Sequence, residues 1–165
     1  MHGQTTDADW RIWLEEHSAK LWLFARQKVR LEADAEDLMQ EAIIEAAKKS
    51  NGLPAPSMVF GIIHRRAIDW ARREHRRVAR EGTVIDDAPV AWFDVSSEQR
   101  ERVQLIQQAL TKLPENQREV ITLKIWGDLT FSEIAAALGI PANTAASQYR
   151  YALESLRQLT KEVLA

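Results

Sequence analysis

The chain contains no cysteine in its 165 residues, which excludes disulfides and thiolate metal sites and fits a reducing compartment such as the cytoplasm. Six glycines, five prolines and few β-branched runs argue against a sheet-rich fold. No apolar run approaches the roughly 20 residues of a membrane span. No basic segment followed by an apolar one opens the chain, so neither a signal peptide nor membrane contact of its own is expected. Phosphate-cradling glycine loops and nucleophile elbows are missing too. His2, His17, His64 and His75 lack metal-ligand spacing. Glu41 and Glu45 lie one turn apart but have no Glu-x-x-His partner for a di-metal bundle. Catalysis, a cofactor and a metal are therefore not expected.

Present instead are long stretches rich in Ala, Leu, Glu, Arg and Gln, which favour helix throughout. Trp10, Trp13, Leu14, His17, Leu21 and Trp22 recur at helical spacing and predict an amphipathic helix over 8–29. Asp34 is a candidate cap for a second helix ending at Ser50, where Asn51-Gly52 stops it. After the stiff loop 51–56, Ser57 is a candidate cap for a third helix running to about Arg80. Ser97 is placed to cap a fourth helix ending near Leu113. Pro114 suits the first turn of a fifth, which stops at Gly127. Thr130 and Glu133 form a capping box with Leu129 and Ile134 as its hydrophobic staple. That helix stops at Leu138-Gly139-Ile140, and a last helix runs from near Pro141 to about Val163.

Charge is sorted along the chain although the formal net charge is only −2. Residues 64–80 hold seven arginines against Asp69 and Glu74, a local +5, while residues 81–99 carry a local −5 with no Lys or Arg. The helix-favouring composition predicts an all-α protein, and a basic helix abutting an acidic connector divides it into two small helical domains, 1–80 and 97–165, with a linker at 81–96. In the third helix Phe60, Ile63, Ala67, Trp70 and Ala71 are the candidate core. Arg65, Arg66, Arg72, Arg73, Arg76 and Arg77 surround the other side, where they can neutralise phosphates. Trp70 can serve the core or stack on an unpaired base. The second helix is acidic on one face, with Asp34, Glu36, Asp37, Gln40, Glu41 and Glu45. That face would repel DNA; taken alone it reads as an ordinary solvated surface or as one suited to a basic protein partner.

Residues 129–151, LTFSEIAAALGIPANTAASQYRY, have the layout of a helix-turn-helix, which offers its second helix to the DNA major groove. On that helix Ala145, Tyr149, Ala152, Leu153, Leu156 and Leu159 make an apolar stripe. Thr144, Ser147, Gln148 and Tyr151 lie opposite, flanked by Asn143 and Arg150. Hydroxyl and amide groups there can bond base edges. Arg118, Lys124 and the N-terminus of the Thr130 helix are candidate phosphate contacts.

The segments DAEDLMQEAIIEAAKK (34–49), AIDWARREHRR (67–77) and LPENQREVITLKIWGDLTFSEIAAALGI (113–140) together resemble a bacterial RNA polymerase sigma factor of the sigma-70 family. The similarity is to the small extracytoplasmic-function (ECF) group. It covers nearly the whole chain in order and spacing. It implies that 8–80 is a three-helix region 2, that 97–163 is a four-helix region 4, and that the linker replaces a middle domain.

The resemblance further implies partners and roles. Asp37, Gln40 and Glu41 would dock on the β′ clamp of core RNA polymerase, whose β subunit is a further expected partner. Residues 51–77, including Arg65, Arg66, Trp70, Arg72, Arg73, Arg76 and Arg77, would recognise and open the minus-ten element of promoter DNA. Arg118, Thr130, Asn143, Thr144, Ser147, Gln148, Arg150 and Tyr151 would read the minus-thirty-five element. The linker would thread toward the polymerase channels, with Trp92 and Phe93 as its anchors. Control of the chain would come either from an anti-sigma factor, as the resemblance implies, or from packing of the two domains on each other.

The chain departs from the family at several positions. Family members often carry Trp where Met58 stands and Asn where Arg65 stands. Their recognition helix commonly reads GTVKSRLHRAR, against NTAASQYRYAL at 143–153, which costs basic positions. Fewer phosphate contacts imply an unusual minus-thirty-five sequence or heavier reliance on region 2. The alternative reading is a helix-turn-helix regulator that never joins polymerase. It leaves the acidic helix at 34–49 unexplained.

Overall fold

A computed structural model of the chain describes residues 4–82, 92–93 and 100–164. These residues form seven helices and no strand. Contacts cluster into two compact units, residues 1–90 and 91–165.

In the first unit, helix α1 (Asp7–Lys28) starts from a reciprocal cap. The Asp9 amide donates to the Thr6 hydroxyl and the Thr6 amide to the Asp9 carboxylate. The expected stripe holds for Trp13 and Leu21, but Leu14 is exposed. From Leu21 onward the helix is enclosed by its neighbours, so Leu23, Phe24, Ala25 and even Arg26 are buried in succession. The Arg26 guanidinium donates to the carbonyls of Val29 and Arg30 at 3.0 and 2.6 Å, closing the turn into α2.

Helix α2 (Glu32–Ser50) begins two residues before Asp34, with Leu31 at its cap and no capping side chain. Asp34 instead joins Glu32 in the first turn, where carboxylates favour the helix dipole. Asn51, in the left-handed conformation, ends the helix as expected. Helix α3 (Pro56–Glu81) likewise starts one residue before Ser57. Proline pre-sets φ at the first helical position and Ala55 takes the cap. Val59, Phe60, Ile62, Ile63 and Ala67 are buried, and Phe24 meets Phe60 edge-on at 5.5 Å. Ala71, expected in the core, is exposed, and Trp70 is half-buried.

The second unit contains α4 (Arg100–Lys112), α5 (Glu115–Ile125), α6 (Phe131–Leu138) and α7 (Ala142–Leu164). The Ser97 cap lies outside the described residues, as does most of the acidic connector. Pro114 occupies the cap of α5 rather than its first turn. Helix α7 packs against α4, α5 and α6. Leu110, Leu113, Ile121 and Ala152 form the core, with Trp126, Tyr149, Leu153, Leu156 and Leu159 against it. Gly127 is obligatory after α5, because a Cβ there would sit 2.6 Å from the Leu123 carbonyl oxygen.

Candidate functional site

Helix α7 is positioned by its neighbour. The Glu133 amide donates to the Thr130 hydroxyl at 3.1 Å, and the Thr130 amide to the Glu133 carboxylate at 3.0 Å. Leu129 and Ile134, the expected staple, are both buried. At the other end Gly139 takes φ +68°, and the Ile140 amide reaches back to the Ala135 carbonyl at 3.0 Å. This fixes the turn from which α7 departs.

Ala145 and Ala152 lock the inner side of α7, and Tyr149 lies edge-on to Phe131 at 5.6 Å. Asn143, Thr144, Ser147, Gln148, Arg150 and Tyr151 then share the other side. Asn143, Arg150 and Tyr151 are exposed, while Thr144, Ser147 and Gln148 are half-buried. The Ser147 hydroxyl donates to the Asn143 carbonyl at 2.9 Å, so any further bond it makes is as an acceptor. Arg150 lies 5.8 Å from the centre of the Tyr151 ring.

The two cations assigned to phosphates on this unit are engaged elsewhere. Arg118 is half-buried and stands 6.0 Å over the ring of Trp92. Lys124 donates to the Leu129 carbonyl at 3.2 Å and lies 4.6 Å from the centre of Phe131. Nearby aromatic faces draw both inward. Trp92 and Phe93 are themselves seated on this unit. The Trp92 amide donates to the Gln107 side chain at 2.9 Å, and Phe93 lies 5.9 Å from Trp126. Sequence reasoning marked these two residues as anchors but not the surface they hold.

On α3 the arginines divide into two kinds. Arg65, Arg72, Arg73 and Arg76 are exposed and have no ion pair among the described residues. Arg65, Arg72 and Arg76 fall within one narrow arc of the helix, and Arg73 borders it. Arg66 and Arg77, expected with them, are committed. Arg77 is tied to Glu74 and Glu81 on its own helix, and the pairing raises its pKa. Arg66 donates to Glu41 and to Glu45 of α2, at 2.9 Å each. Sequence reasoning missed this fork. Its only trace was the one-turn spacing of the two glutamates.

On α2, Asp37, Gln40 and Glu41 are exposed along one stripe. Gln40 donates to Glu36 at 3.2 Å, and Asp37 stands clear. Ile44, 55% exposed, continues the stripe and puts an apolar group among the acids. Among the described residues no group of three or more histidines and carboxylates could hold a metal, and no helix is long and apolar enough to cross a membrane.

The geometry defines a helical protein with a helix-turn-helix in one unit and, in the other, a basic face on α3 next to an acidic face on α2. Comparison with known proteins agrees. Residues 13–77 match the family described as Sigma-70 region 2, and residues 103–164 match Sigma-70, region 4. RNA polymerase sigma factor SigV of Bacillus subtilis is 29% identical, over 98% of this chain and 98% of its own. The RNA polymerase sigma-E factor of Streptomyces avermitilis is 31% identical, over 81% of this chain and 75% of its own. ECF RNA polymerase sigma factor SigL of Mycobacterium tuberculosis is 28% identical, over 93% and 89%.

Two solved structures share the fold. The sigma factor RpoE, in complex with the anti-sigma factor NepR from Bartonella quintana, gives a TM-score of 0.72 at 24% identity, covering 93% of this chain and 97% of that one. CnrH, in complex with the cytosolic domain of CnrY, gives 0.61 at 20% identity, covering 95% and 90%. The chain belongs to the sigma-70 family of RNA polymerase sigma factors, in its ECF group.

Proposed function

We propose that this chain joins core RNA polymerase in the cytoplasm, directs it to promoters and assists strand opening, without catalysing a reaction itself. Residues 1–80 would dock and open the minus-ten element, 81–96 would connect, and 97–165 would read the minus-thirty-five element. Asp37, Gln40 and Glu41 supply the docking face. Opposite charge across such a contact steers encounter and fixes register.

Arg65, Arg72, Arg73 and Arg76 hold the minus-ten DNA, with Trp70 beside them. Arg66 and Arg77 are second in rank because carboxylates already hold them. At the minus-thirty-five element, Asn143, Thr144, Ser147, Gln148, Arg150 and Tyr151 meet base edges and backbone, and the N-terminus of the Thr130 helix receives a phosphate. Arg118 would have to leave Trp92 to take part. An anti-sigma protein, the kind of partner seen in the RpoE structure, would control access to these faces.

The observation that carries the proposal is the set of exposed arginines on α3 that lack acidic partners, in the same chain as a capped helix-turn-helix. The test is run-off transcription with core RNA polymerase on a fragmented genomic library, with transcript ends sequenced. Discrete starts that require the protein are expected, and they yield both promoter elements together. Retained DNA binding without polymerase binding would instead indicate a stand-alone regulator.

A further inference from the structure

The first unit has two charged faces of opposite sign, and one side chain touches both. Arg66 sits on the arginine-rich helix, yet both its terminal nitrogens are held by α2, one by Glu41 and one by Glu45, at 2.9 Å each. Glu41 is also one of the three residues assigned to polymerase docking. Its side chain is 62% exposed, so a basic partner group can reach it without moving the backbone. Glu45 is less accessible and is shared with Lys49 at 3.4 Å. The contrast with Arg77 is instructive, since both carboxylates that hold it lie on its own helix. That pairing ties no second face.

We infer that Arg66 is a relay: Glu41 and Glu45 hold it in the free chain, and docking of a basic surface on α2 takes Glu41 and turns Arg66 over to promoter phosphate. The relay rests on the function proposed above. Three features support it. Arg66 and Arg73 are seven residues apart, hence on one side of α3, so a released Arg66 extends the arginine face rather than starting another. A guanidinium fork that donates to two carboxylate oxygens donates to two phosphate oxygens equally well. Solvent-accessible ion pairs are weak enough to be exchanged for another partner.

The test uses the full chain with core RNA polymerase. In Arg66→Gln, Glu41 starts unpaired. Polymerase affinity is expected to rise roughly two- to fivefold, the scale of an accessible ion pair. The resulting holoenzyme loses one phosphate contact, so the slope of log promoter affinity against log salt becomes shallower by about 0.9. Arg73→Gln, which has no acidic partner to release, makes the slope shallower without the gain in polymerase affinity.

Weaker polymerase binding by Arg66→Gln would overturn the relay, because Arg66 would then be holding Glu41 ready for docking. An unchanged slope would overturn it too, because the fork would be a strut between helices. Should Arg66→Gln fail to fold, Arg66→Lys decides. It keeps the charge but loses the fork, so affinity rises and the slope stays, and unchanged or weaker affinity overturns the relay. Failure of the unaltered chain to bind polymerase overturns the proposed function itself, whereas failure of the relay shows only in the variants.

Discussion

The indole N–H of Trp13 donates to the carbonyl of Pro54 at 3.0 Å, across 41 residues of sequence. The bond is buried and ties α1 to the loop that precedes α3. That loop lies in the segment assigned to minus-ten capture, so the tie holds part of the proposed site. Trp13→Phe keeps a ring in the core but leaves the carbonyl without its donor. Equilibrium urea unfolding is expected to show a loss of about 1–3 kcal/mol. An unchanged midpoint would mean that the loop is held by packing alone.

Asp37 and Gln40 are exposed, and the one hydrogen bond described for them runs from Gln40 to its own helix. Replacing both with Ala should leave unfolding within about 0.5 kcal/mol of the parent. Affinity for core polymerase should fall by roughly tenfold or more, as when central contacts of an interface are lost. Undiminished binding in a titration against polymerase would remove the docking role from this face.

Arg72 and Arg73 meet no carboxylate among the described residues. The double change to Ala should slow promoter opening, followed with a fluorescent base analogue. It should also flatten the salt dependence of promoter binding by roughly two phosphate contacts. Thermal unfolding of the free chain should stay put. If unfolding shifted and the salt slope did not, the arginines would be structural.

Thr130 closes the cap of α6, the helix in front of α7. Thr130→Ala should cost about 1 kcal/mol of stability, the usual worth of such a cap. The loss should register in the second unit, by hydrogen exchange of the α6 amides, while the α1 and α3 amides keep their protection.

His17 lies edge-on to Trp13 at 5.0 Å, and burial holds its pKa below the ordinary value of 6.5. The unfolded chain therefore takes up a proton at this residue at higher pH than the folded chain does. Its contribution to stability is complete above pH 6.5 and declines as pH falls through the lowered folded-state value. His17→Phe should flatten that decline in unfolding midpoints measured across the acidic range. An identical pH profile for parent and variant would exclude His17 as its source.

The sequence by itself determined where helices stop and which faces are apolar, because those depend on neighbours within a turn. Asn51, Gly139 and the Thr130–Glu133 box needed no distant contact to act. Three helix starts were misplaced, and local reasons account for two of them: Pro56 makes a better first residue than Ser57 makes a cap, and carboxylates at 32 and 34 stabilise the first turn without one. The layout of the polar face of α7 was legible from helical spacing alone.

Tertiary structure decided which charges remain available. Seven arginines within 17 residues look alike in sequence, yet Arg66 is held by carboxylates 21 and 25 positions away while Arg65 beside it points to water. Arg118 and Trp92 meet only because Trp92 packs on the core of the second unit. A cation's partner is set by what the fold brings within a few ångströms, and helical periodicity carries no record of that distance.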